Sequence, residues 1–175
     1  MINISKSPTT VTGYTLMSVY QITVHYTDES LLHAIKGFFK GVGNIEYTAD
    51  KRYVSYRVKK LSDIIQVIIP HFDKYPLQST KFIPFYLFKT VVNHMDKKTH
   101  LTLQGLREVL TYKAALKKGL AGKIFQSELF SDIKPFNTEG IWGSAPETVL
   151  EPEYISGFVA ADGSFFISKP AEKTK

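Results

Sequence analysis

The chain has 175 residues, with 22 Lys and Arg against 16 Asp and Glu, a formal net charge of +6, and no cysteine. That length buries one good core, or one domain and part of a second. Without thiols a disulfide framework or a Cys-built zinc site is excluded; no apolar run nears the roughly 20 residues of a membrane span, and no N-terminal pattern marks a secretion signal. The cationic excess favours polyanionic partners, because basic groups gathered on one face gain affinity for phosphates through counterion release.

Met1 to Lys6 alternates apolar and polar, and Ser7-Pro8-Thr9-Thr10 breaks the alternation, which predicts a strand and a loop. Thr15 to Tyr26 predicts one long strand: Leu16, Ser18, Tyr20, Ile22 and Val24 share one face, Gln21, Thr23 and His25 the other. Thr27-Asp28 has the character of a helix start, and Leu31, Leu32, Ile35, Phe38 and Phe39 follow at helical spacing until Gly41-Val42-Gly43. Two more strands are expected at Asn44–Thr48 and Tyr53–Lys59, the second with Val54, Tyr56 and Val58 on one face and Ser55, Arg57 and Lys59 on the other.

Leu61 begins an Ile- and Val-rich helix that reaches Pro70-His71-Phe72. A second helix runs from about Gln78 to Met95, with a bend expected near Pro84, and Thr102 caps a third through about Lys117, with Gly105 as its weak spot. Gly119 to Phe130 reads as a last short helix. From Ser131 to Val149 periodicity vanishes and Pro, Asn and Gly accumulate, so a linker is expected, with Trp142 pinning it to a domain surface. Glu151-Pro152-Glu153 then starts a helix in which Gly157, Ala160 and Ala161 offer little bulk. Asp162-Gly163 ends it, and Phe165 to Lys169 has the residue types of a strand. The five histidines, His25, His33, His71, His94 and His100, show no paired metal-ligand spacing.

Ile155 to Gly163, followed by Ser164-Phe165-Phe166-Ile167, resembles the LAGLIDADG motif of homing endonucleases. Tyr20-Gln21-Ile22-Thr23, Phe38 to Ile45, Tyr56-Arg57-Val58, His71 to Leu77 with Lys81, and the helix from His100 to Leu120 agree with that family in order and spacing. Ile2 to Pro8 also resembles Phe165 to Pro170, as the first strands of two units would. The resemblance implies an α+β fold in which an antiparallel sheet carries helices on one face. Residues 1–130 would be a first unit lacking its leading helix, 131–151 a linker, and 152–175 the first helix and strand of a second unit.

The same resemblance implies metal-dependent cleavage of both strands of double-stranded DNA by an intron-encoded, mitochondrial protein, with Mg²⁺ as the cofactor. It makes Asp162, with the carbonyl of Ala161, the metal site, and gives Lys81 and Gln21 catalytic roles at the scissile phosphate and its water. Taken alone, Asp162 reads equally as an ordinary helix end, Lys81 as a solvated helix lysine, and Gln21 as a sheet-face residue. The polar parity of the strands, Asn3, Ser5, Gln21, Thr23, Asn44, Glu46, Thr48, Ser55, Arg57 and Lys59, would read DNA. Each motif helix of the family supplies one acid to a shared centre, and this chain holds one such helix. A complete site therefore calls for a homodimer through the motif helix or for sequence elsewhere. The alternatives are an RNA-binding intron maturase, whose partner would be intron RNA, and a non-functional fragment.

Overall fold

A computed structural model describes residues 1–116, 119–120, 124, 127, 129–142 and 150–162, with only the backbone of Ser79, Trp142 and Asp162. Contacts divide the chain into two units, Met1–Ala145 and Pro146–Lys175. The first opens with a hairpin of β1 (Ile2–Lys6) and β2 (Tyr14–Ser18), then β3 (Tyr20–His25), α1 (Glu29–Phe38), β4 (Asn44–Tyr47) and β5 (Tyr53–Val58). All strand pairing is antiparallel, in a two-stranded sheet β1-β2 and a three-stranded sheet β3-β5-β4. The long strand expected from Thr15 to Tyr26 is therefore two strands. Its alternation survives the break at Val19, which is buried and receives Met1 as a backbone partner, its N–H reaching the Met1 carbonyl at 2.8 Å.

The start of α1 is a 3₁₀ turn at Tyr26–Asp28, with no side-chain cap from Asp28. After β5 the chain is helical from α2 (Leu61–Asp63) through a π-turn at Ile64–Ile68 into α3 (Ile69–Lys74). Pro70 sits in the first turn of α3 and has no N–H to donate backward, which suits a stretch where the α ladder has already given way to wider spacing. The helix α4 (Phe82–Asp96) holds Pro84 in its first turn, where a missing N–H costs nothing, so the helix is not interrupted there. Thr102 caps α5 (Leu103–Ala114), its hydroxyl accepting from the Gly105 N–H at 3.1 Å.

One face of the three-stranded sheet is sealed. Val54, Tyr56 and Val58 of the central strand β5 are wholly buried against Leu32 of α1, Ile64, Ile68 and Ile69, and Phe88, Val91 and Val92 of α4. Each such aliphatic side chain contributes about 1.5–3 kcal/mol on burial, and the Tyr56 hydroxyl is satisfied by the Val42 carbonyl at 3.0 Å. Gly43 ends the approach to β4 at φ +76°, with its Cα so close that a Cβ would stand 2.5 Å from the Arg57 carbonyl oxygen. Only glycine suits that position.

A second cluster, with Tyr14, Leu106, Leu110, Phe130 and Ile133 among its members, ties the β1-β2 hairpin to α5. It draws in part of the stretch expected to be a linker. Ile133 and Ile141 are buried, the Phe136 N–H donates to the Thr111 carbonyl at 3.1 Å, and Phe136 packs on Tyr112 with ring centroids 5.0 Å apart. A short helix, Glu139–Trp142, follows. The expected pinning role of the Trp142 side chain lies outside the described residues. Of the helix expected over Gly119 to Phe130, Ile124 is helical, whereas Leu129 and Phe130 lie in a turn.

The second unit shows the motif helix, Pro152–Asp162. Gly157, Ala160 and Ala161 are exposed, and a Cβ at Gly157 would meet nothing within 4 Å. The expected strand at Phe165 to Lys169 lies outside the described residues. No described helix is long and apolar enough to cross a membrane.

Candidate nucleic-acid interface

The face of the β3-β5-β4 sheet away from the core is polar by register. Gln21 stands opposite Arg57, Thr23 opposite Ser55, Asn44 opposite Arg57 and Glu46 opposite Ser55. These side chains form two hydrogen-bonded groups. In the first, the Gln21 Nε2 donates to the Thr23 hydroxyl at 2.7 Å, and the Thr23 and Ser55 hydroxyls share a hydrogen bond of 2.8 Å. In the second, Glu46 accepts from Arg57 Nη1 at 2.9 Å through one carboxylate oxygen and from Lys59 Nζ at 2.6 Å through the other. The hydrogen bond from Lys59, aided by the charges of Lys59 and Arg57, holds the Glu46 carboxyl below its ordinary range. Two cations and one anion leave this trio with a single net positive charge. The basic face expected from sequence is thus partly neutralised from within.

The β1-β2 hairpin continues the pattern: Asn3 faces Met17 and Ser5 faces Thr15, and all four are exposed. Thr15 and Met17 were not among the sequence candidates, since a single long strand hid which of its residues would oppose Asn3 and Ser5. Thr48 has a local task instead. Its hydroxyl donates to Asp50 at 2.6 Å and accepts from the Tyr53 N–H at 3.1 Å, closing the β4–β5 turn.

Gln21 and Lys81 come together. Both line a groove of about 960 Å³ whose walls also include Thr23, Thr80, Pro84 and Lys113. They line an adjoining hollow of about 490 Å³ as well, where Tyr20, Phe72 and Phe85 make the wall aromatic. Lys81 is carried there as the last residue of a 3₁₀ turn before α4, and Gln21 as the second residue of β3. Lys113, near the end of α5, had no sequence signal beyond being a cation close to a helix C-terminus.

The groove's polar groups are an amide, hydroxyls and ammonium groups, which suit phosphate oxygens and do not hold a cation. Among the described residues no three His, Cys, Asp or Glu gather as metal ligands. Asp162 and Ala161, the expected metal ligands, are the last two residues of the motif helix. The Asp162 side chain lies outside the described residues.

The sequence and the fold both match known proteins. The model of the LAGLIDADG endonuclease family matches residues 1–92. The chain is 31% identical to the probable intron-encoded endonuclease 3 of Neurospora crassa over 93% of its own length and 30% of the relative's. It is 30% identical to the probable intron-encoded endonuclease 2 of the same organism, over 99% of its own length and 39% of the relative's. A protein in ND4 intron 1 of Podospora anserina is 35% identical over 58% of this chain and 22% of that protein.

Among solved structures, the meganuclease I-SmaMI bound to uncleaveable DNA superposes with a TM-score of 0.87 at 32% identity, covering 100% of this chain and 57% of that one. I-SmaMI bound to uncleaved target DNA in the presence of calcium ions gives a TM-score of 0.86 at 31% identity, over 99% of this chain and 57% of that one. The chain thus spans little more than half of that meganuclease and well under half of these curated relatives. With the family model matching more than half of its residues and the fold in agreement, the chain belongs to the LAGLIDADG endonuclease family.

Proposed function

We propose that the chain is the double-stranded-DNA-reading part of an intron-encoded, mitochondrial homing endonuclease that hydrolyses phosphodiester bonds with a divalent metal, Mg²⁺ in the cell. The observation that carries this reading is the two-sidedness of the β3-β5-β4 sheet. Val54, Tyr56 and Val58 seal one face, while Gln21, Thr23, Arg57, Asn44 and Glu46 present donors and acceptors on the other, with Ser55 buried beneath Gln21 and Thr23 and bonded to the Thr23 hydroxyl. Alternate side chains of a twisted antiparallel ribbon have the spacing and chemistry to meet base edges in a major groove. The DNA-bound relatives of like fold support the choice of duplex over other polyanions, and the intron-encoded relatives support the genetic setting.

Asn3, Ser5, Asn44, Arg57 and Lys59 are assigned to DNA contact, whereas Ser55, expected among them, is 2% exposed and supports the face from beneath through its bond to the Thr23 hydroxyl. Gln21 and Thr23 have a place both on the sheet face and in the groove, and Thr48 shapes the turn beside it. In the first unit, the ammonium of Lys81 offsets phosphate charge and orients the attacking water, and the Gln21 amide holds that water. In the second unit, Asp162 and the Ala161 carbonyl would hold the metal, which when bound would supply Lewis-acid polarisation of a phosphoryl oxygen and a more acidic water. The first unit carries the sheet and its groove, and the motif helix, Pro152–Asp162, belongs to the second.

Asp162→Asn tests the chemical half of this reading. In a protein that supplies the second motif acid, this substitution abolishes Mg²⁺-dependent double-strand cleavage while leaving duplex affinity within about twofold. Unchanged cleavage would remove Asp162 from the metal site.

A further inference from the structure

Among the described residues Glu46 is the one acid on a sheet face otherwise suited to DNA, and its geometry gives it a specific task. Its two oxygens are each taken by a different cation, Arg57 Nη1 at 2.9 Å and Lys59 Nζ at 2.6 Å, and the three side chains are about a third to under a half exposed. The Arg57 Nε is buried and has no hydrogen-bond partner among the described residues. Of the five guanidinium donors, Nε therefore points inward and one Nη1 hydrogen goes to Glu46, so the donors left for a ligand lie at the Nη end. Two N–H groups held in a fixed plane match the paired O6 and N7 acceptors of guanine in the major groove, the commonest specific contact that arginine makes.

An arginine without Glu46 would sweep through its rotamers and find phosphates as readily as bases. We propose that Glu46 is a specificity-determining positioning residue: it clamps Arg57 and Lys59 so that Arg57 selects guanine at one base pair, at a cost in general affinity for DNA. This inference rests on the reading of the sheet as a duplex-binding face and adds to it the base preferred and the residue that enforces the preference. It has an unusual sign. A carboxylate facing a polyanion lowers affinity for every sequence, so removing its charge raises non-specific binding while relaxing selection. A base-reading acid would lose affinity and selectivity together, and a merely structural residue would change neither in opposite directions.

The test is selection from a duplex library with randomised base pairs, using the full chain, its Glu46→Gln, Arg57→Gln and doubly substituted variants, with thermal unfolding confirming that each is folded. The wild-type protein prefers guanine at one position by about 5- to 150-fold. Glu46→Gln loses most of that preference and binds random duplex several-fold more tightly. In the Arg57→Gln background, Glu46→Gln changes no base preference, because the side chain it positions is gone. Retained guanine preference in Glu46→Gln, or weaker binding to random duplex, overturns the inference while leaving the DNA-binding reading intact. Wild-type protein that binds no duplex overturns both.

Discussion

Gly105→Ala separates helix propensity from packing, because the two predict opposite signs. Gly105 lies in the first turn of α5, where alanine favours the helix by about 1 kcal/mol. The position is packed against the α4–α5 corner, and a Cβ there would fall within 2.6 Å of the Thr99 carbonyl carbon and closer still to its oxygen. The obstacle is backbone and cannot swing aside. It is also fastened: the Thr99 hydroxyl bonds the His94 ring at 2.9 Å, His100 Nδ1 lies 3.1 Å from the His94 carbonyl, and Thr102 Oγ1 donates to the Thr99 carbonyl at 2.8 Å.

Overpacking of this kind costs about 1–3 kcal/mol, and relaxation would also loosen the Thr102 cap, itself worth about 1 kcal/mol. Set against the propensity gain, the net loss is about 1–3 kcal/mol, which lowers Tm by roughly 2–12 °C for a chain of this size. The assay is thermal unfolding of the two proteins side by side. A Tm equal to or above wild type would refute the packing argument. The consequence reaches the groove as well, since the α4–α5 corner sets the direction in which α5 carries Lys113.

Two further perturbations probe the core behind the sheet. Tyr56→Phe removes the hydroxyl that satisfies the Val42 carbonyl at 3.0 Å; a loss of about 1–2 kcal/mol is expected in chemical denaturation, with an unchanged denaturant slope, and no loss would mean that water serves that carbonyl equally well. His71, ringed by Phe38, Phe39, Phe72 and Tyr75, is kept below its ordinary value of 6.5 by burial. The unfolded chain takes up that proton first, so the His71 contribution is whole above about pH 6.5 and is lost as pH falls from there through the lowered value. Stability measured down this range declines more in wild type than in His71→Phe, and parallel curves would contradict the assignment.

Element types were legible where periodicity and burial agree. Val54, Tyr56 and Val58 alternate with Ser55, Arg57 and Lys59, and burying the first set leaves Arg57 and Lys59 on the open face, with Ser55 covered there by its neighbours Gln21 and Thr23. Which strand pairs with which was not legible. The alternation from Thr15 to Tyr26 continues through Val19 without a fault, yet β2 joins β1 and β3 joins β5, a choice made by tertiary partners. The π-turn at Ile64–Ile68 is hidden in a run of Ile and Val that reads as an ordinary buried helix. Sequence shows a residue's cost and not its neighbours, so Pro84 and Gly105 look like defects in it; one lies in a first turn and the other under a carbonyl.

At the site, Gln21, Thr23, Arg57 and Lys59 fall on one face as parity implies. The pairing of Glu46 with both cations required the strand register, and the approach of Lys113 to Gln21 and Lys81 required the packing of α5. The stretch after Phe130 looked like a linker because it lacks periodicity, but isolated apolar residues such as Ile133, Phe136 and Ile141 dock on α5 without repeating structure of their own.

The central claim is that the sheet face carrying Arg57 and Lys59 binds duplex DNA, and the salt dependence of binding tests it most directly. Affinity of the full chain for a duplex library is measured over a range of ionic strengths, beside Lys59→Gln on the polar face and Lys36→Gln on α1, which packs behind the sheet. The account predicts that wild-type affinity falls steeply with salt, that Lys59→Gln flattens the log–log slope by about 0.9, and that Lys36→Gln leaves it unchanged. A slope that Lys59→Gln leaves untouched, or that Lys36→Gln flattens as much, would place DNA on another surface and contradict the account.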